Sequence, residues 1–218
     1  MLEIIQLTLG PVQTNAYLVA DNETGDAAVI DPAWNGNKIL AAARSKGWVI
    51  RHLWYTHAHF DHIGGAAEIA DNSDLIPLVA LHQADHILWK TGGGGNYFGF
   101  KIDPGPEPGI DLVDQQILLL GKVEIKVLYT PGHTPGHCAF YVSSVSTLFS
   151  GDLIFQGSIG RTDLIGGDFD MLIKSIQDKV YILPDDTRIL SGHGPETTVG
   201  WEKMNNPFVN QDTNRRFI

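Results

Sequence analysis

A chain of 218 residues, with 43% hydrophobic and 18% charged residues, can bury a substantial core and is not a disordered polypeptide. Fifteen Lys and Arg against 25 Asp and Glu give a formal charge of −10. That balance repels phosphate backbones and argues against nucleic acid as a partner. No apolar run approaches the ~18–20 residues that span a bilayer, and Met1–Ile5 lacks the pattern of a signal peptide. No membrane association and a cytoplasmic location are therefore expected. The single cysteine, Cys138, excludes an intrachain disulfide.

In chain order, Leu2–Leu9 and Asn15–Ala20 read as a hairpin around Gly10-Pro11, followed by a strand at Ala27–Ile30. Alanine-rich Lys38–Ser45 reads as a helix stopped by Gly47. A strand at Val49–Tyr55 runs into polar residues, and a short helix at Ala66–Ala70 follows Gly64-Gly65. Leu78–Leu81 reads as a buried strand and His82–Trp89 as a short helix. From Thr91 to Asp111 the chain carries seven glycines, three prolines, Tyr97, Phe98 and Phe100. This composition predicts a long, lid-like Gly/Pro-rich insertion within one domain covering residues 1–218. Beyond it, Ile117–Leu119, Val123–Tyr129, Cys138–Val142, Thr147–Phe149 and Arg188–Leu190 read as strands. Phe169–Val180 reads as an amphipathic helix and Trp201–Met204 as a short terminal one. Two sheets packed face to face with helices outside would bury these runs.

The chemistry lies in the nine histidines. His52, His82, His86 and His137 have ordinary structural readings. The other five fall in polar or glycine-rich turns after strands, where side chains are held at a rigid, accessible rim. Thr56-His57-Ala58-His59-Phe60-Asp61-His62 packs four potential metal ligands into six residues. The His-x-His spacing puts two imidazoles on one side of an extended segment, where they can share one ion. Asp61 and His62 lie further along, where a turn can aim them at a second. One segment cannot close a two-metal site. Further candidates are His133, Asp152 and His193, each directly after a glycine in a turn that follows a strand.

This set, with Pro131-Gly132-His133-Thr134-Pro135-Gly136-His137, Ser150-Gly151-Asp152, Gly160-Arg161-Thr162-Asp163, Gly192-His193-Gly194-Pro195-Glu196-Thr197 and Asn206-Pro207-Phe208, resembles the metallo-β-lactamase superfamily. Within it the chain is most similar to the short glyoxalase II-type hydrolases. The resemblance implies an αββα sandwich of two mixed β-sheets flanked by helices, with two divalent metal ions at one edge. Zinc is the first expectation, and iron or manganese suits the same donors. It implies that His57, His59 and His133 hold one ion and Asp61, His62 and His193 the other, with Asp152 bridging. It also implies hydrolysis of thioesters such as S-lactoylglutathione by a metal-bridging hydroxide. Asp61 and Asp152 are the implied catalytic carboxylates, with Asp61 able to take the hydroxide's proton. The partner is then a small-molecule thioester.

Arg161 is a candidate for a substrate carboxylate, or for an ion pair with Asp163 or Asp168. Tyr97 and Phe98, with Phe100, are candidates to line the pocket. His137, Thr56 and Asp31 are expected to support the metal loop through hydrogen bonds. Cys138 and Trp201 read as packing residues. Longer glyoxalase II enzymes carry a C-terminal helical domain with basic residues for glutathione. Only 25 residues follow His193, and Arg215 and Arg216 lie in a tail that reads as disordered. Two other functions are compatible with the ligands. One is a persulfide dioxygenase using a single iron on His57, His133 and Asp152. The other is a non-catalytic metal-binding protein on the same fold.

Overall fold

A computed structural model describes residues 1–209; the tail with Arg215 and Arg216 lies outside the described residues. The first sheet is built in the order β1 (Leu2–Leu9), β2 (Thr14–Asp21), β3 (Asp26–Ile30), β4 (Val49–Trp54), β5 (Leu78–Leu81) and β6 (Ile110–Asp111). The first three strands are antiparallel neighbours. The last three pairings are parallel. Parallel neighbours need crossovers, and helices supply them. α1 (Gly36–Ser45) joins β3 to β4, while α2 (Phe60–Ile63) and α3 (Ala66–Asn72) join β4 to β5. α4 (His86–Lys90) leads into the glycine-rich segment.

The second sheet uses β7 (Ile117–Leu120), β8 (Val123–Tyr129), β9 (Cys138–Val142), β10 (Thr147–Gly151), β13 (Arg188–Ser191) and β14 (Thr197–Thr198). Within it, β10 and β13 run parallel and are joined by α5 (Phe169–Ser175). A two-stranded ribbon of β11 (Ile154–Phe155) and β12 (Ser158–Ile159) stands beside it, and α6 (Val199–Asn205) closes the described chain. The architecture is therefore two mixed sheets flanked by helices. No helix among the described residues is long and apolar enough to cross a membrane.

Strand period explains the layering. Successive side chains of a strand point to opposite faces, so a strand covered on both sides is apolar throughout. In β2, Ala16, Leu18 and Ala20 face α1 and α3, packing near Ile39, Ala43 and Ile69. Tyr17 and Val19 face the other sheet and pack near Phe140, Phe149 and Leu190. In the second sheet the outer residues Leu128, Ala139, Leu148 and Ile189 pack against Leu172 of α5, Ile176, Val180 and Val199. Three apolar layers result. Fully buried Trp54, Tyr55, Phe140 and Phe149 lie in or beside the middle of this stack. Each such side chain contributes roughly 1.5–3 kcal/mol by leaving water.

Two elements differ from the sequence reading. The helix expected over 169–180 is α-helical only to Ser175 and continues as a wider π-type turn from Ile176 to Val180. The segment 91–111 is not free of structure. It contains a 3₁₀ turn at Gly95–Phe98 and ends in β6. Gly93 accepts a hydrogen bond from the Phe60 backbone at 3.0 Å, and Trp89 Nε1 donates to the Pro104 carbonyl at 3.2 Å. Phe98 and Phe100 both stack on Phe60. Composition showed glycine freedom but not these tertiary anchors.

Candidate metal site

Every candidate ligand follows the C-terminal end of a strand. The Thr56–His62 segment follows β4, His133 follows β8, Asp152 follows β10 and His193 follows β13. Loops at such strand ends hold side chains at a rigid rim, which is where ligand groups gather. The two sheets are tied together at this edge. Asn15 Nδ2 donates to the carbonyls of Ser191 and Gly194 at 3.0 Å each, and the Tyr17 hydroxyl donates to Ser191 at 2.7 Å.

Seven side chains converge. His133 Nε2 lies 2.9 Å from His59 Nδ1 and 3.2 Å from His57 Nε2. On the other side, His62 Nε2 lies 3.5 Å from Asp61 Oδ2, which lies 3.2 Å from His193 Nε2. Asp152 spans the two groups. Its Oδ1 is 3.3 Å from His62 Nε2, and its Oδ2 is 3.6 Å from both His133 Nε2 and His193 Nε2. Two trios, His57–His59–His133 and Asp61–His62–His193, can each present three donor atoms to one cation.

The surrounding hydrogen bonds fix which ring nitrogen carries a proton. Asp31 accepts from the Thr56 backbone N–H and from Thr56 Oγ1, both at 2.7 Å. That leaves Thr56 Oγ1 to accept from His57 Nδ1 at 3.0 Å. Asp31 Oδ2 also accepts from His62 Nδ1 at 2.9 Å, and the Arg161 carbonyl accepts from His133 Nδ1 at 2.7 Å. The Nε2 atoms of His57, His62 and His133 thus all turn inward. A histidine held from behind in this way is set up as a ligand.

The electrostatics call for a cation. Burial, reinforced by neighbouring imidazoles, lowers His57 well below the ordinary value and His59 to about 3, so both stay neutral. Burial also lowers His133. Their ring nitrogens crowd together at 2.9 and 3.2 Å, and His62 Nε2 and Asp152 Oδ1 are buried without a hydrogen-bond partner. Such orphans are costly unless an ion satisfies them. Burial opposes charge on Asp61, but His62 and His193 hold it at about 2. Asp152 is held low against its burial by His62, His193 and His133. His62 is itself raised well above the usual range, because Asp152, Asp61 and Asp31 outweigh its burial.

Three positions escaped the sequence reading. Buried Asp85 accepts from Ala58 N at 3.1 Å, Thr134 Oγ1 at 2.7 Å and Gly136 N at 2.7 Å, stapling the two histidine loops together. Thr14 Oγ1 donates to Asp61 Oδ2 at 2.9 Å. Gly192 backs the Asp152 carboxylate, since a Cβ there would stand 2.2 Å from Asp152 Oδ1. No local motif marks Thr14 or Asp85, because each acts across the fold. Gly192 sits beside His193 in a quoted motif, but only the tertiary structure gives it this role.

The neighbours divide. A cleft of about 750 Å³ opens over the site, and Tyr97, Phe98 and Arg161 line it. Phe100 turns away and packs against Trp34 and Phe60. Arg161 closes its guanidinium on Asp163, at 2.7 and 2.8 Å, while Asp168 caps α5 through Met171 N. His137 is buried and bonded to Thr130 Oγ1 at 2.9 Å. His52 stacks on Trp54, His82 stacks on Tyr129 and His86 faces Asp111. Cys138 is buried, and burial pushes its thiol up, which makes it an inert core residue.

A sandwich of two mixed sheets with a histidine–aspartate cluster at one edge defines a metallohydrolase-type protein. Residues 9–193 match the family model described as the metallo-beta-lactamase superfamily, and the chain belongs to that superfamily. It is 41% identical to "Probable metallo-hydrolase YqgX" of Bacillus subtilis, over 94% of this chain and 96% of that protein. It is 35% identical to "Hydroxyacylglutathione hydrolase GloC" of Haemophilus influenzae, over 96% of this chain and 98% of that protein. Among solved structures, BLEG-1 B3 metallo-beta-lactamase superposes with a TM-score of 0.87 at 36% identity, covering 96% of this chain and 99% of that one. TTHA1623 in a di-iron-bound form gives 0.85 at 40% identity, covering 94% and 99%.

Proposed function

We propose that this protein is a dinuclear metal-dependent hydrolase of thioesters, glyoxalase II-like, acting on S-lactoylglutathione or a related acyl thioester. One observation carries the reading: the Asp152 carboxylate reaches the His133 side with Oδ2 and the His62 side with Oδ1. That contact with both groups, Oδ2 being also 3.6 Å from His193 Nε2, supports a carboxylate shared by two ligand trios. His57, His59 and His133 would hold the first ion, Asp61, His62 and His193 the second, and Asp152 both. Zinc is the proposed metal, and iron or manganese suits the same donors. Bound there, two divalent cations supply Lewis acidity, which lowers the pKa of water from ~15.7 toward ~7 and polarises a carbonyl.

The chain's own residues do the remainder. Neutral His57, His59 and His133 present lone pairs without first losing a proton. Asp61, ionised and held by Thr14, lies where it can take a proton as the acyl–sulfur bond breaks. A thiolate is a good leaving group, with a thiol pKa of about 8.5. The proposed setting is cytoplasmic, with a small-molecule partner.

A one-iron persulfide dioxygenase would need His57, His133 and Asp152 and would leave Asp61 and His193 without a role. The test measures metal content by mass spectrometry, S-lactoylglutathione hydrolysis before and after chelation, and oxygen uptake with glutathione persulfide. Two ions per chain and chelator-sensitive hydrolysis are expected. One iron with oxygen uptake would replace the reading with the dioxygenase. A fully loaded but inert protein would make it a non-catalytic metal binder.

A further inference from the structure

The cleft over the metal site has an unusual rim. Ile87 at the base of the glycine-rich segment is 80% exposed and Tyr97 is 81% exposed, with half-exposed Phe98 beside them. The same cleft is lined by Ile165, 86% exposed, and Val12. Large apolar side chains scattered singly on a surface need no explanation, but five of them around one concavity do. Here they surround the opening to a polar cluster, the arrangement of a site that grips an apolar ligand and orients it by a few polar groups. Phe98 is held in place, since it stacks on Phe60 at 5.3 Å and Phe60 follows His59 in the chain.

Charge points the same way. Among the described residues lining the cleft, Arg161 is the one lysine or arginine, and Asp163 already occupies its fork with two hydrogen bonds. A ligand carboxylate would have to share Arg161 with Asp163 and approach a protein of net charge −10.

From this rim and the closed Arg161–Asp163 pair, we infer that the site takes thioesters of apolar acyl groups on an uncharged thiol, in preference to glutathione thioesters. The inference rests on the hydrolase reading above. In the reaction the acyl C–S bond breaks and a C–O bond to the oxygen of water forms. The products are a carboxylate, the thiol and one proton, and no oxidant or reductant is needed.

The inference is tested by calorimetry on the full, zinc-loaded protein with thioethers that cannot be cleaved: S-ethyl-, S-butyl- and S-hexyl-N-acetylcysteamine, and S-hexylglutathione. Kd should tighten about fourfold per methylene, the equivalent of ~0.8 kcal/mol. S-hexylglutathione should bind no tighter than S-hexyl-N-acetylcysteamine. The Ile87→Ser/Ile165→Ser double variant changes only exposed side chains and should flatten the chain-length dependence, with circular dichroism confirming its fold. Binding independent of chain length, or S-hexylglutathione tighter by tenfold or more, would overturn the inference. Turnover of hexanoyl-N-acetylcysteamine is measured in parallel. A steep binding series with no chelator-sensitive hydrolysis of any thioester would overturn the hydrolase reading and leave the cleft as an apolar-ligand site.

Discussion

Asp31 Oδ2 lies 2.9 Å from His62 Nδ1, so the carboxylate takes the proton on one face of the ring and aims the other nitrogen at Asp152. Asp31 sits just past the end of β3 with a left-handed backbone, φ 52°, which asparagine also tolerates. Asp31→Asn therefore keeps the turn while removing the charge. It is expected to weaken metal binding about 10–100-fold, chiefly at the Asp61–His62–His193 trio, as seen for residues that orient ligands. Competitive zinc titration of the two sites measures it, and an unchanged second-site affinity would refute the orienting role.

Asp85 joins the His59 and His133 loops through three short hydrogen bonds from groups that water cannot reach. Burial raises its pKa, which reflects the cost of hiding the charge, while the three donors oppose that rise. Asp85→Ala would leave the Ala58 and Gly136 amides and the Thr134 hydroxyl without an acceptor. A loss of roughly 2–4 kcal/mol of stability is expected, with Asp85→Asn losing less. Urea denaturation of the metal-free protein reads this out.

At Gly192 the reason for glycine is space. A Cβ would stand 2.2 Å from Asp152 Oδ1 and 2.7 Å from His62 Cε1. Gly192→Ala should displace the bridging carboxylate, reduce bound metal toward one ion per chain and abolish turnover, while far-ultraviolet circular dichroism stays the same. Two retained ions with full activity would show that Asp152 does not bridge.

Metal binding should release protons, because the surrounding carboxylates raise His62 well above the ordinary value and raise His193 in the same sense when no ion is bound. Net proton release is expected at neutral pH, and affinity should fall as the pH drops. Zinc titration calorimetry in buffers of different ionisation enthalpy counts them. Proton-independent binding would mean that His62 is already neutral.

The metal-free protein should show its own acid sensitivity. His59 titrates at about 3 in the fold but near 6.5 when unfolded, so between those values the unfolded chain binds a proton that the fold rejects. Its contribution to stability is constant above about 6.5 and falls as the pH drops from there toward 3. His62, raised, acts in the opposite sense: it stabilises fully below about 6.5, and that contribution is lost as the pH climbs through its folded value. Thermal melts of metal-free wild-type and His59→Gln proteins across pH 4–7 separate the first effect. The acid-side decline should be shallower in the variant.

Much of this was legible in the sequence because the signals are local. Strand runs such as 123–129 and 138–142 carry their own periodicity, and the observed strands match them residue for residue. The cluster from His57 to His62 announces ligands because four donors in six residues are hard to explain otherwise. The anchoring of the glycine-rich segment was hidden for the same reason. Its composition reports backbone freedom, whereas its order comes from Phe60 stacking and the Gly93 carbonyl, which lie outside any window of sequence. Arg161 offered two readings on paper, and in space it pairs with Asp163 while also lining the cleft.

By itself the sequence determined the strand and helix runs, the donor types and the family likeness, since those depend on residue identity and spacing along the chain. The tertiary structure decided which ring nitrogens face inward, that Asp152 spans two trios, and that Asp85, Thr14 and Gly192 support them. Those relationships join residues from 19 to 130 positions apart. Only the packing of two sheets face to face brings such groups within a hydrogen bond's length at one end of the sandwich.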